Sequence, residues 1–285
     1  MSAATRMGIG STSTVDQAIG FISENIVSER LHLRSDDKFR GTYSNNAGPT
    51  IEGPERVFGT TEHEPNPEEA AILLELLGFT NTTGTFTVND SALPVRYMAI
   101  DREDKVPVYA GMIASRATIR CSAGVPWRWS IDWLGTQETV GNSGTFPSIS
   151  LTETSPLALH HAVITVVSAD RVVDDITITI DNVCEHRPFN ADYFTPERHG
   201  RVITMEMSVP YNGNTDLLRP AVAGAGGTVV WTYGNYSSSW TFGNLQFPRG
   251  AVTKTKGSKR MLSLQGVASQ TGATKELVIV HDSTP

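Results

Sequence analysis

A two-residue alternation recurs along most of this chain, and it limits the fold more than any other feature. Across 175–181, Ile176, Ile178 and Ile180 alternate with Thr177, Thr179 and Asp181. Across 127–134, Trp127, Trp129, Ile131 and Trp133 share one parity, with Arg128, Ser130 and Asp132 on the other. Successive side chains of an extended chain point to opposite faces, so the pattern specifies strands with one dry face and one wet face. Extended runs at 21–34, 51–58, 85–88, 95–100, 108–113, 117–122, 161–167, 173–187, 201–209, 228–247, 260–267 and 275–281 are expected to do the same. The wet faces draw on 32 Thr, a β-branched residue that suits a pleated, half-solvated surface, while charged residues make up only 19% of the chain. The expected fold class is mainly β.

One segment breaks the alternation. Asn66 is a good N-cap, Pro67 fits the first helical position, and Glu68 and Glu69 favour the positive end of the helix dipole. Ala70, Leu73, Leu74 and Leu77 fall on one face and Gly78 follows. One short α-helix is expected over about 67–77. Residues 1–20 are small and polar, and read as a flexible N-terminal arm.

Composition excludes several functions. Lys+Arg is 23 against Asp+Glu 30, a net charge of -7, which argues against a basic nucleic-acid-binding face. No apolar run approaches the roughly 18 residues of a membrane span, and the N-terminus lacks an apolar signal core, so a soluble chain with no membrane partner is expected. Cys121 and Cys184 are far apart and form no C-x-x-C knuckle, so two small thiols in a reducing compartment are the plain reading.

The order of events repeats. A strand, a charged polar loop, an extended stretch, a leucine-bearing segment and further strands occur once over 21–150 and again over 151–285. The offset is about 150 residues at the first strand and shorter at the end. A tandem duplication of one β unit is the reading adopted, with 21–150 and 151–285 as two closely packed units.

Several segments, taken in order, carry a resemblance. They are Ser28-Glu-Arg-Leu-His-Leu-Arg-Ser-Asp-Asp, Ile51-Glu-Gly, and the helix from Pro67. They continue with Tyr109-Ala-Gly-Met-Ile-Ala-Ser-Arg-Ala-Thr-Ile-Arg-Cys, Trp129-Ser-Ile-Asp-Trp-Leu-Gly, Thr177-Ile-Thr-Ile-Asp-Asn and Gly200-Arg-Val-Ile-Thr. Over about 21–281 the chain resembles the tail tube (major tail) proteins of long-tailed bacteriophages, the large two-repeat family. It departs at Met205, where that family usually has Gly. The resemblance implies two tandem β-sandwich or half-barrel units whose long hairpins form a shared inner β-barrel in the assembled ring. It implies a structural virion protein that stacks as rings into the tail tube through which the genome reaches the host. The partners it implies are the chain itself, a tape-measure protein, and tail terminator and distal tail proteins, with DNA only as transiting cargo. Localisation would be the virion tail, and the host cytoplasm during assembly. Two units per chain predict trimeric rings with pseudo-sixfold symmetry, hexameric rings being the alternative.

For the site residues, the mixed-charge segment Arg34, Asp36, Asp37, Lys38 and Arg40 reads either as a solvated loop or as a ring-to-ring contact whose charges set register. Trp127, Trp129 and Trp133 read as core. The alternative function, a tail-tip receptor- or carbohydrate-binding β module, would use them as a sugar platform. Glu185, His186, Asp192, Glu197 and His199 form the most enzyme-like cluster, favoured as a solvated or subunit-contact loop. His160 and His161, at a strand start, would point apart and could not share a metal. Gly224–Gly227 reads as a plain turn and not a phosphate loop. No catalytic residue, metal or cofactor is expected.

Overall fold

The computed structural model describes residues 6–11, 15–34, 50–102, 105–139, 146, 154–167, 169–187, 191–211, 222–248, 251–253, 260–272 and 274–283. In chain order the first elements are β1 (Arg6–Gly10), β2 (Gln17–Gly20), β3 (Ser23–Glu24), β4 (Val27–Arg34) and β5 (Thr50–His63). The helix α1 (Pro67–Leu76) follows, then β6 (Phe79–Thr82), β7 (Thr85–Val88), β8 (Arg96–Ile100), β9 (Val108–Ser122), β10 (Arg128–Gly135) and β11 (Gln137–Thr139). A 3₁₀ turn at Leu159–His161 leads to β12 (Ala162–Val166), β13 (Ala169–Arg171), β14 (Asp175–Asp181), β15 (Cys184–Arg187) and β16 (Thr195–Arg198). The chain continues through β17 (Val202–Pro210), β18 (Val222–Tyr233), β19 (Tyr236–Phe247), β20 (Ala251–Thr253), β21 (Met261–Ala268) and β22 (Leu277–Asp282). The fold is mainly β with one α-helix among the described residues.

Two layers face each other. The first runs β4–β5–β10–β9–β14–β17–β21–β20, antiparallel throughout, with β3 extending β4 along β5. The second runs β6–β7–β22–β19–β18–β12–β13, also antiparallel. The end of β19 pairs with the end of β21 and joins the layers along one side. A smaller sheet, β2–β1–β8–β9–β11, takes the first residues of β9. β9 therefore serves two sheets, and Gly111, at φ +66, sits where it turns from one into the other. A Cβ there would lie 2.5 Å from the Thr136 side chain, so neither the conformation nor the space admits another residue.

Alternation builds the core. Trp129, Ile119, Ile178 and Met205 stand side by side across β10, β9, β14 and β17, each buried against the second layer. Trp127 and Trp129 meet Trp231 of β18 and Trp240 of β19 between the layers. Their ring centroids are 5.3–6.0 Å apart, mostly edge to face, the arrangement the ring quadrupole favours.

The helix forms where its caps predict. Asn66 accepts the Glu69 N–H at 2.8 Å, and Glu69 returns a bond to the Asn66 N–H at 3.2 Å, a complete capping box. The other Glu69 oxygen accepts the Gly20 N–H (2.8 Å), so the cap also holds β2. At the far end Asn182, fully buried, donates to the carbonyls of Leu77 (3.1 Å) and Ala114 (3.2 Å), satisfying a helix-terminal acceptor from another layer.

Several expectations are corrected. Residues 6–10 and 17–20 are strands and not a flexible arm. Met7, Ile9 and Ile19 are buried because β8 pairs with β1 and supplies the apolar surface that the segment lacks alone. The run at 21–34 is broken at 25–26 into β3 and β4, and 108–122 is one strand and not two. Residues 173–187 divide between β14 and β15, which lie in different sheets, and the loop expected over 188–200 contains β16, partner of β15. Gly224–Gly227 is strand and not turn. Gly227 is required by packing, since a Cβ there would meet Leu245 Cδ1 at 2.6 Å. Gln137–Thr139, past the alternating run at 127–134, is a further strand. The leucine-bearing segment 216–220 lies outside the described residues.

Two histidines end matching polar chains in this core. Trp133 Nε1–H donates to Thr61 Oγ1 (2.8 Å), and Thr61 Oγ1 lies 2.7 Å from His63 Nε2. His63 Nδ1 lies 2.8 Å from the Gly20 carbonyl, which can only accept, so Nδ1 carries the proton and the Thr61 hydroxyl donates to Nε2. Trp240 Nε1–H likewise donates to Ser238 Oγ (2.8 Å). Ser238 Oγ lies 3.0 Å from His281 Nδ1, and His281 Nε2 donates to the Pro67 carbonyl (2.7 Å). Both rings are held neutral: burial lowers His63 to about 4, against the carbonyl's opposite pull, and also lowers His281. A depressed folded pKa means that the unfolded chain binds more protons below its own value of about 6.5. Stability should be full above about pH 6.5 and fall as pH drops toward 4, with His63 alone contributing about 3 kcal/mol of that loss. Denaturant unfolding measured from pH 7.5 to 4 checks this, and a flat profile would refute the neutral-histidine account.

Candidate assembly surface

Three features of the first layer bear on contact with other molecules: its projecting hairpin, its outer face and its edges. The hairpin is β4–β5. Opposite charges pair across it, Glu29 with Arg56 (2.6 Å) and Arg30 with both Glu52 (2.8 Å) and Glu55 (3.0 Å). Exposed pairs of this kind stabilise little and serve mainly to fix register. Glu55 differs because its side chain is only 8% exposed. Burial works against its charge, but the Glu138 backbone N–H (2.7 Å), the Ser28 hydroxyl (2.5 Å) and the Arg30 guanidinium together hold its carboxyl below the usual range. Its own backbone bonds to Asp192 and Phe194, so one residue joins the hairpin base to β11 and to the loop before β16. Beyond Glu55 the register slips between Arg30 and His32, and Gly53 and Pro54 occupy the bulge. Pro, with no N–H to give a ladder, is tolerated at such a place.

Of the sequence-predicted contact residues the structure places one. Arg34 is the last residue of β4, opposite Thr50. Asp36, Asp37, Lys38 and Arg40 lie outside the described residues. Trp127, Trp129 and Trp133 are wholly buried, which removes the exposed platform that the glycan-binding alternative requires.

The outer face of the first layer is largely polar from β5 to β21. One row reads Glu62, Ser130, Thr118, Thr179, Thr204 and Val267; its neighbour reads Arg128, Arg120, Thr177, Glu206 and Gln265. Arg116 lies opposite Asp132 on one side and Asp181 on the other. Periodicity had singled out the individual strands but not this surface, which exists only because six strands align their odd or even positions.

The acid and imidazole cluster is a two-stranded ribbon. Glu185 stands opposite Glu197, with His199 3.9 Å from the first and Arg187 2.9 Å from the second. Asp192 meets β5 through its backbone. His160 and His161 do not point apart as expected, because they lie in a 3₁₀ turn and not a strand. Their ring centroids are 3.9 Å apart, and His161 stacks on Tyr233. Among the described residues no three His, Cys, Asp or Glu side chains converge as metal ligands.

A second polar centre, which sequence reading missed, ties the two halves of the chain together. Arg201, 5% exposed, donates to the Asn89 carbonyl (2.9 Å) and to Glu276 Oε1 (2.8 Å), and pairs with Asp90 (3.1 Å). Arg198 adds bonds to the carbonyls of Asn89 and Ser91, and Lys275 also pairs with Asp90. These residues come from three distant segments, with Asp90 and Lys275 185 positions apart, so no local signal could group them.

Among the described residues the first layer is an open sheet whose margins, β4 and β20, each pair on one side only. The family model described as phage tail tube protein matches residues 3–268, and the chain belongs to the phage tail tube protein family. Its members are structural components of the virion tail that self-assemble into a tube with other tail proteins. A search of curated proteins gives no match.

Replacing Arg201 by Ala should leave Glu276 charged and half-enclosed without its partner, and cost about 3 kcal/mol. Denaturant unfolding at neutral pH measures the loss, and a change under about 0.5 kcal/mol would show the clamp to be dispensable.

Proposed function

We infer that this chain forms the wall of the tail channel. It stacks as rings into the tube through which the genome is delivered, and the polar outer face of the first layer lines the lumen. The observation that carries the reading is that this layer turns one face to the core and carries Thr, Ser and charged residues over most of the other, from β5 to β21. Such a face can stand beside moving water and DNA, whereas an apolar one could not. Short Thr and Ser side chains keep the surface smooth. The carboxylates Glu62, Asp132, Asp181 and Glu206 repel phosphate and oppose the pull of Arg116, Arg120 and Arg128.

Two tandem units, 21–150 and 151–285, built by duplication, support a trimeric ring with pseudo-sixfold symmetry, hexameric rings remaining the alternative. The segment containing Arg34, Asp36, Asp37, Lys38 and Arg40 is proposed to meet the next ring, where opposite charges would set register. Tape-measure, terminator and distal tail proteins are the further partners. DNA is cargo, and assembly takes place in the host cytoplasm.

Purified protein should form hollow tubes visible in negative-stain micrographs. In those tubes Thr179→Cys should resist a maleimide attached to a protein too wide for the channel, while reacting in the dissociated subunit. Equal labelling in both states would place the face outside. Changing Asp36 and Asp37 to Lys should hinder polymerisation and leave the subunit folded, and normal tubes from that variant would remove the contact role.

A further inference from the structure

The first layer contains the same four-strand arrangement twice. In the first half the strands come in chain order β4, β5, β9, β10 and lie side by side as β4–β5–β10–β9. In the second half they come as β14, β17, β20, β21 and lie as β14–β17–β21–β20. Each set places its strands first, second, fourth, third, and in each the last two form a hairpin. Buried positions correspond as well. Val57 of β5 and Met205 of β17 each face a glycine on the fourth strand, Gly135 and Gly266.

Within the chain the two sets join at one seam. The third strand of the first set, β9, pairs antiparallel with the first strand of the second set, β14, from Ser122↔Asp175 to Asp181↔Arg116. The corresponding strands at the outer margins are β20, the third of its set, and β4, the first of its set. Among the described residues each has a partner on one side only, β21 and β5. An unpaired edge carries a row of backbone donors and acceptors and is a template for strand addition.

We propose that the internal β9–β14 seam is the template for the joint between subunits. β20 of one copy pairs antiparallel with β4 of the next, so a ring repeats a single seam that is internal once and intermolecular once per chain. The proposal rests on the tube reading and adds which edges meet. Superposing the two sets through Gly135 and Gly266 makes Ala251–Thr253 equivalent to Arg116–Thr118, and Glu29–Leu31 equivalent to Thr179–Asp181. Thr118 faces Thr179 across the internal seam, so Thr253 should face Glu29 of the neighbouring copy. The contact is heterologous, using different edges on its two sides, and it closes when the rotation between units completes a circle.

Hydrogen exchange on the unmodified chain, comparing tubes with dissociated subunits, tests the seam. Backbone amides in 27–31 and 251–253 should exchange about tenfold or more slowly in tubes, as they gain partners on assembly. Oxidising tubes of a chain carrying both Glu29→Cys and Thr253→Cys should give disulfide-linked multimers, which neither single variant yields. Unchanged exchange at either edge in well-formed tubes overturns the seam. Protection without the disulfide overturns its register. If the unmodified chain forms neither tubes nor rings, the tube reading fails and the seam with it.

Discussion

The layers are held in fixed relation by the four indoles between them. Trp127 immediately precedes β10 and Trp129 lies on it, while Trp231 and Trp240 come from the facing hairpin β18–β19. Each buries a large apolar area, and their edge-to-face arrangement adds an orientational preference that aliphatic side chains lack. Several buried polar groups are arranged around that contact. The Trp127 indole N–H donates to the Pro65 carbonyl (2.6 Å), just before the helix. Trp133 and Trp240 begin the two chains that end at histidines. The histidines in turn grip the β2 end and the first residue of α1.

With one face of each sheet consumed in this way, the opposite face and the edges are left for other work. The first layer shows the division most plainly, since Ile178 and Thr179 are neighbours in sequence and lie in different solvents. Family membership fits this economy, because a tube subunit needs a stiff wall, a wet surface and strand edges that can accept a copy of itself.

Much of this was legible in the sequence wherever the cause is local. The helix could be placed because Asn66, Pro67 and Glu69 act within one turn of each other. The strands of 127–134 and 175–181 could be placed because period two is a property of the strand itself. What could not be read is pairing across distance. Met7 and Ile9 looked like stray apolar residues in a polar arm because their burial depends on β8, about ninety residues later. Gly224–Gly227 looked like a turn because glycine usually marks one, whereas here it makes room for Leu245. The Arg201 clamp draws on three distant segments. The proposed contact residues past Arg34 rest on the family resemblance and charge alone.

The last strand has a consequence for how the molecule is made. β22 lies between β7 and β19, and His281 closes the polar chain at Pro67. Until residues 277–282 leave the ribosome, β7 has an uncovered margin and the Pro67 carbonyl lacks its bond from His281. The nascent first half can collapse but cannot finish, since its closing contacts span about 190 residues. Completion of both layers therefore waits on the last strand to be synthesised, and the two halves of the chain finish folding together.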